Sequence, residues 1–535
     1  MTINKSKQSS LVLLTTLVAS LGGLLFGYDT AVISGAVGAI DEFFLNPLDE
    51  AATLATSTII EFKAIISITA LGVAILFSYF IFKFFKKSLA AIIVIALFAI
   101  CIPLYNIYFL DLPNVLTENL RNSILGFMTS SALVGCIIGA SMGDVIANSL
   151  GRRNGLIIAA ILFLISAIGS GYPEIMNFYG VEMLSSFIIY RIIGGVGVGL
   201  ASMLAPLYIA EMAPANIRGK MVSCNQFAIV TGMLIVYFVN YFIVQGQEPT
   251  WIKVTGWRYM FLSEVIPASL FFVLLLFVPK TPRFLVMVGH ENKAKGILEK
   301  MNLKSDSSEV LESIKRSFKV KKAPWLTYGW LIIIVGLLLS VFQQFVGINV
   351  VLYYAPEIFK GMGAEANASM MQTIIVGAIN MIFTIIAILT VDNYGRKKLL
   401  LIGSAMMGFS MIGLGFSLYL QAAGIISLLL MLVYIAAFAV SWGPVTWVLL
   451  SEIFPNAIKG VMAVAIAMQW LANLLVSWTF PVMNKNSFLI EQFNHGFAYW
   501  IYGIMAVLSG IFVWRFVPET KGRSLEDMEQ IWLKK

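Results

Sequence analysis

Asp29, Arg191 and Glu264 are ionisable residues set inside long apolar stretches of a 535-residue chain. A charge in such surroundings is costly unless it is paired, so its presence points to ion or proton chemistry. An arginine close to an aspartate keeps the carboxylate charged, and drawing the two apart lets a proton bind. Asp29 therefore reads as a proton-exchange group with Arg191 and Glu264 as its partners; the alternative is a static buried ion pair. A second set is made of amides: Gln226, Gln343, Gln344, Asn349, Asn380, Gln469 and Asn473 fall mid-stretch, with Trp447 and Trp470 nearby. An amide both donates and accepts hydrogen bonds and is costly when buried unsatisfied. Any one of them is accounted for by a bond to a neighbouring helix. No nucleophile–base–acid set appears, and two histidines cannot build a metal cluster, so the chain is not expected to be an enzyme.

The elements that must position these groups follow from composition. Apolar residues make up 59% and charged residues only 12%, with mean hydropathy +0.88. Soluble domains carry about 25% charged residues, so this chain has too few to cover a water-facing surface. Cys101, Cys136 and Cys224 all lie in apolar runs and read as reduced packing residues. A net charge of +8 could suggest nucleic acid. The basic residues instead sit in short loops between apolar stretches, the pattern of membrane orientation, and no nucleic-acid partner is expected. Fourteen stretches, from 11–36 to 497–517, are long enough to cross a hydrocarbon core about 30 Å thick. The first is expected to be retained rather than cleaved.

With the N-terminus cytoplasmic, only Lys63, Arg121, Lys253, Arg258, Lys360 and Lys485 fall outside, among acidic residues such as Asp41, Glu42, Asp49 and Glu50. Both termini are expected in the cytoplasm of a multi-pass protein of the cell inner membrane. The polar interruption at 280–325 divides the chain. The expected domains are an N-terminal helical bundle at 1–279, a cytoplasmic linker with short helices at 280–325, a C-terminal bundle at 326–517 and a tail at 518–535.

The halves echo each other. Gly151, Arg152 and Arg153 are matched about 244 positions later by Gly395, Arg396 and Lys397. Glu211 and Arg218 around Pro214 are matched by Glu452 and Lys459 around Pro455. Parallel repeats about an axis along the membrane normal are the architecture of major facilitator transporters. Arg152, Arg153, Glu211, Arg218, Arg396 and Glu452 are expected to clamp neighbouring helix ends on the cytoplasmic side and to release when that side opens; the alternative is that they only fix topology and cap helices.

These residues resemble the sugar porters of the major facilitator superfamily. The resemblance covers nearly the whole chain outside about 40–115. It rests on 22–36, on Tyr190 and Arg191 with Gly194 and Gly195, and on 206–219 and 257–261. It continues in Pro279 to Arg283, Phe342 to Asn349, Trp442 to Pro444, and Pro518 to Gly522. Within the family the chain looks most like the bacterial D-xylose:proton symporters. The resemblance implies an all-α polytopic fold of two six-helix bundles and alternating access. It implies sugar contacts at Gln226, Gln343, Gln344, Asn349, Trp447, Gln469 and Trp470, lined by Tyr354, Asn380, Asn473 and Phe26. It assigns proton coupling to Asp29 with Arg191 as its switch, and no cofactor beyond the proton. Met233 departs from the pattern, standing where the xylose symporters carry a second glutamine and the glucose facilitators an apolar residue. Lys280, Thr281, Lys459 and Asp144 are smaller departures. An uncoupled facilitator for glucose or another aldose, and a non-transporting sugar sensor, are the alternatives.

The largest departure lies at about 60–112, where two apolar stretches flank Lys83, Lys86 and Lys87. Two crossings keep Arg152 and Arg153 inside, so an inserted transmembrane hairpin is expected on the outside of the bundle, bringing the crossings to fourteen. It could face lipid, meet a partner or form a dimer contact; the protein is otherwise expected to be a monomer.

Overall fold

The computed structural model describes residues 10–85, 87–111, 113–175, 182–214, 217–301, 307–318, 324–422, 424–455, 458, 460–521, 528 and 530–532. Lys86 of the hairpin turn, Lys459 of the second motif, 302–306 and 319–323 of the linker, and 522–527 of the tail lie outside the described residues.

Among the described residues, thirteen helices are long and apolar enough to cross a bilayer. Six belong to the first half: α1 (Ser10–Ile40), then, beyond the insertion, α4 (Glu118–Ser149), α5 (Arg152–Gly171), α6 (Met183–Met212), α7 (Arg218–Val244) and α8 (Pro249–Leu275). Between α1 and α4 run α2 (Ala52–Phe84) and α3 (Lys87–Tyr105). The fourteenth crossing expected from the sequence would be α3, but its apolar helix, Lys87–Pro103, is shorter. Pro103 stands near its end, and the regular helix gives way to a π-helical turn over Asn106–Leu110. Three short linker helices follow α8: α9 (Pro282–Met287), α10 (Glu291–Lys300) and α11 (Ser307–Ser317).

The second half contains α12 (Trp330–Phe345) and α13 (Ile348–Gly361), which together form one crossing. Next come α14 (Ala366–Tyr394) and α15 (Arg396–Tyr419). Then α16 (Ile425–Val440) and α17 (Trp442–Ile453) share a crossing, followed by α18 (Gly460–Asn484), α19 (Ser487–Phe493) and α20 (Phe497–Phe516). The internal repeat is visible in the backbone. Gly151 and Gly395 both take φ +87° to start α5 and α15, a conformation that an L side chain rarely adopts.

Helices in hydrocarbon gain little from apolar burial against each other, so close packing of small residues carries more of the association. Gly135 and Gly139 of α4 face Gly195 and Gly199 of α6 so closely that a methyl group on any of them would strike backbone. Gly27 of α1 and Gly232 of α7 do the same across their pair. These contacts fix α1 and α6, the helices that carry Asp29 and Arg191. The two bundles meet where α4 packs on α18, α1 on α13, and α7 on α14.

We call the end bearing Arg152 and Arg396 the basic end and its opposite the far end. Arg121, Lys253, Arg258, Lys360 and Lys485 are at the far end, and each pairs with a carboxylate. Within the insertion, α2 runs from far end to basic end and α3 returns. The two are joined by Ser67 with Tyr105 at 2.8 Å and by Lys63 donating to the Leu110 carbonyl at 3.2 Å. A topology reporter fused after Lys87 is expected to report the same side of the membrane as one fused to the N-terminus; a signal from the opposite side would contradict this arrangement.

Candidate functional site

Two crossings of the second half are broken, and the breaks supply the site. α12 ends at Phe345, and Gly347 takes the left-handed conformation (φ +91°) before α13 begins. A side chain there would strike the Tyr502 ring as well as strain the backbone. The break leaves carbonyls without helical partners, which must be satisfied locally in a membrane interior. Tyr434 donates to the Val346 carbonyl at 2.7 Å. At the second break, at Ser441, Gln343 Nε2 donates at 3.3 Å to the carbonyl of Trp442, the first residue after it. The interruptions thus face each other, and the amide pair stands between them.

From there the amides form a relay. Gln343 Oε1 accepts from Gln344 Nε2 at 2.9 Å and also from Gln469 Nε2. Gln344 Oε1 accepts from Asn349 Nδ2 at 2.5 Å. Asn473 donates to the Tyr353 hydroxyl at 3.4 Å and accepts from Ser477, while Tyr354 donates to the Ser477 carbonyl at 3.0 Å. Two polar atoms in this group have no partner: Gln469 Oε1 and Trp470 Nε1, one acceptor and one donor. Buried polar groups are normally bonded, so this unmatched pair is an opening for a polar solute. Phe26 of α1 lies against Trp470 with ring centroids 5.5 Å apart, which brings the first bundle to the wall. Asn380 of α14 is buried, with its amide 3.9 Å from the Met233 sulfur of α7. Gln226 and Trp447 are half-buried on α7 and α17.

Deeper in the first bundle, Arg191 Nη1 donates to Asp29 Oδ1 at 2.7 Å and Nη2 to the Asp29 carbonyl at 3.2 Å. Both side chains are excluded from water, as is Glu264. Arg191 also lies over the Phe261 ring at 5.2 Å. Asp29 Oδ2 and both oxygens of Glu264 are buried without a donor among the described residues, and Glu264 lies within side-chain hydrogen-bonding reach of Asp29 and electrostatic reach of Arg191. Two carboxylates facing one guanidinium leave one negative charge in excess, which a single proton would neutralise.

At the basic end the two halves repeat one arrangement. Arg152 pairs with Glu211 at 2.9 Å, and Thr281 donates to the same carboxylate at 2.7 Å. Arg396 pairs with Glu452 at 2.9 Å, and Thr520 donates to it at 2.6 Å. Arg153 donates to the carbonyls of Leu275 and Leu276. Arg218 stands exposed at the first residue of α7, and the second base near Glu211 is Arg283, at 3.9 Å. Sequence spacing pairs Glu211 with Arg218 but does not reveal that Thr281 and Thr520 complete each cluster. Each cluster ties helices within one bundle, not across the two, so opening the basic end does not require either to break. At the far end, bonds do cross between bundles. Lys485 reaches Asp41 at 2.6 Å, Ser487 bonds Glu118, Asn486 bonds Asn119, and Trp478 donates to Ser123. This arrangement is closed at the far end.

The Glu519 carboxylate breaks the symmetry. It accepts from the backbone N–H of Arg396 and Lys397, at the start of α15, and from those of Thr520 and Lys521. Burial pushes its pKa up, but these four donors outweigh burial and hold it below the ordinary carboxylate value. In the first half Lys280 stands in its place, over the Phe284 ring, and cannot cap a helix start.

A family model for sugar (and other) transporters matches residues 15–109 and 108–532. The chain is 47% identical to the D-xylose-proton symporter of Escherichia coli strain K12, over 99% of this chain and 97% of that protein. It is 36% identical to the glucose facilitated diffusion protein of Zymomonas mobilis, over 98% of this chain and 99% of that one. Among solved structures it is similar to the xylose transporter XylE from E. coli in a partially occluded inward-open conformation. That match has a TM-score of 0.77 at 46% identity and covers 96% of this chain and 100% of that one.

Because the folded state depresses the Glu519 pKa, its stabilising contribution is present above the unfolded value and lost as pH falls through the folded one. The wild type is therefore expected to be more heat-stable than Glu519→Gln near neutral pH, with the gap closing below about pH 4. Thermal unfolding in detergent across pH 3 to 7 checks this; a gap independent of pH would contradict it.

Proposed function

Since this chain belongs to the sugar (and other) transporter family, we propose that it imports a monosaccharide, D-xylose first, together with a proton, by alternating access. It is a multi-pass membrane transporter and not an enzyme. The observation that carries the reading is the coexistence of two sites: an amide relay with an unmatched donor and acceptor, and a separate buried cluster that sets two carboxyl groups against one guanidinium. In the proposed cycle, sugar hydroxyls take the places that Gln343, Gln344, Asn349 and Gln469 now fill with one another. Trp470 donates its indole N–H, and its ring, with Phe26, offers an apolar face. Gln226, Trp447, Tyr354, Asn380 and Asn473 complete the lining.

About six neutral hydrogen bonds at a net ~0.5–1.5 kcal/mol each, less entropy, give micromolar to millimolar binding. That range suits a carrier, which must release what it binds. A proton taken up by Asp29, with Arg191 left to the Glu264 carboxylate, keeps the cluster neutral, weakens the ion pair between α1 and α6 and frees the two helices to move. A 100 mV potential with one pH unit supplies roughly 3.7 kcal/mol per proton, enough to concentrate a neutral sugar a few hundredfold. The proton is the only cofactor in this scheme. We place the protein in the cell inner membrane as a monomer with both termini in the cytoplasm. The basic end is then cytoplasmic, and the far-end-closed arrangement faces inward.

A second reading keeps the site but drops the coupling. Intact Asp29 argues against it. Met233 bears on the sugar instead, because its thioether is a weak acceptor where a glutamine would give a strong one. Glucose or another aldose then competes with xylose.

Uptake of radiolabelled xylose into vesicles separates the two readings. The wild type is expected to accumulate sugar only under an imposed proton gradient, whereas Asp29→Asn exchanges sugar without accumulating it. Gradient-independent uptake by both proteins would establish the facilitator instead. Gln343→Ala is expected to raise the half-saturating concentration by about tenfold, the loss of one or two bonds, with the proton dependence intact.

A further inference from the structure

The inserted hairpin does not sit on one bundle. At the far end α2 is bonded to the first bundle: the Glu61 carboxylate accepts from the backbone N–H of Glu182 at 3.0 Å, Ser57 donates to the Glu182 side chain at 3.1 Å, and Phe62 meets Phe127 of α4. At the basic end the same helix rests on the second bundle. Phe80 is buried against Val464 and Ala467 of α18, with Phe77, Trp325 and Leu337 around them, and Phe85 meets Trp330 at the start of α12 with ring centroids 5.3 Å apart. At 33 residues, α2 is about 50 Å long, well over the ~30 Å hydrocarbon core, and so it reaches obliquely from one bundle to the other.

We propose that the hairpin is a brace between the bundles, hinged on the first and seated on the second by contacts that belong to the far-end-closed arrangement and open when the bundles rock. This rests on the alternating-access reading above. A helix cannot lengthen, so when the bodies holding its two ends rotate against each other, one attachment must yield. The far-end attachment combines the buried Phe62–Phe127 contact with hydrogen bonds that include a carboxylate to a backbone N–H, the stronger kind. The basic-end seat is apolar, and lipid chains replace apolar contacts at little cost. The seat is therefore the attachment that gives way. While engaged, it biases the transporter toward the arrangement described here; a carrier without the insertion has no such restraint.

The test uses full-length protein with Cys101, Cys136 and Cys224 replaced by alanine, reconstituted in lipid vesicles. Cross-linking Phe80→Cys to Val464→Cys is expected to reduce xylose uptake by about tenfold or more, with recovery on adding reductant. Cross-linking Glu61→Cys to Glu182→Cys, across the hinge, is expected to leave uptake within about twofold. Undiminished uptake with the first pair cross-linked overturns the brace. Spin labels at Phe80→Cys and Val464→Cys give a readout independent of transport. Two distance populations whose ratio responds to sugar are expected, and a single fixed distance overturns the proposal. Failure of the uncross-linked protein to take up any sugar would count against the transport reading, while the spin-label distances would still judge the brace.

Discussion

A carboxylate inside a bilayer must be paired, solvated or protonated, and the rest of this structure depends on how Asp29 meets that demand. Its partner, Arg191, comes from a different helix, so the pair is also a bond between α1 and α6. The glycines of α4, α6, α1 and α7 bring those backbones close enough for the bond to form without bulky side chains between them. Glu264 adds a second acid with no second base. On the proposed reading, a proton taken up by Asp29 weakens its pair with Arg191 and so links a chemical event to the freedom of two helices. A static pair with matched charges would not.

The same demand for satisfaction explains the amide relay. Broken helices expose carbonyls, and the chain sets a side-chain donor beside each break: Tyr434 bonds the Val346 carbonyl at the first and Gln343 the Trp442 carbonyl at the second. The amides then bond one another, with Gln469 Oε1 and Trp470 Nε1 left over, and these internal bonds are of a kind that can be exchanged. On the proposed reading, sugar hydroxyls replace these bonds with ones of similar strength, which keeps binding modest and release fast. The basic end works differently. Its Arg–Glu–Thr clusters hold helices within each bundle, making each half a body that can move as a unit.

Much of this was legible in the sequence because membrane burial makes polar residues conspicuous. Asp29, Arg191, Gln343, Gln344, Asn349 and Gln469 stand out from apolar neighbours, and the structure brings the amides into one bonded group. Periodicity and hydropathy could not show that 327–354 and 424–450 contain breaks, since an apolar run reads the same whether or not its backbone turns. Gly347, Gly443 and Pro444 were the only signals. Partners were less legible than members. Glu211 was seen with Arg218, seven residues away, but meets Arg152 and Thr281 from other helices, and Asp41 meets Lys485 across more than four hundred residues. Such pairings are set by tertiary packing and leave no local trace. The hairpin was visible as an insertion, but its attachment to both bundles was not.

Charge movement tests the central claim most directly. On a membrane-supported electrode carrying reconstituted protein, adding xylose at equal pH and zero potential should evoke a positive inward current in the wild type. Simultaneous sugar flux should show about one charge moved per sugar, the single proton that neutralises the cluster. Sugar flux with no accompanying current would contradict the account, because the buried acids would then be structural and the proton would have no part in transport.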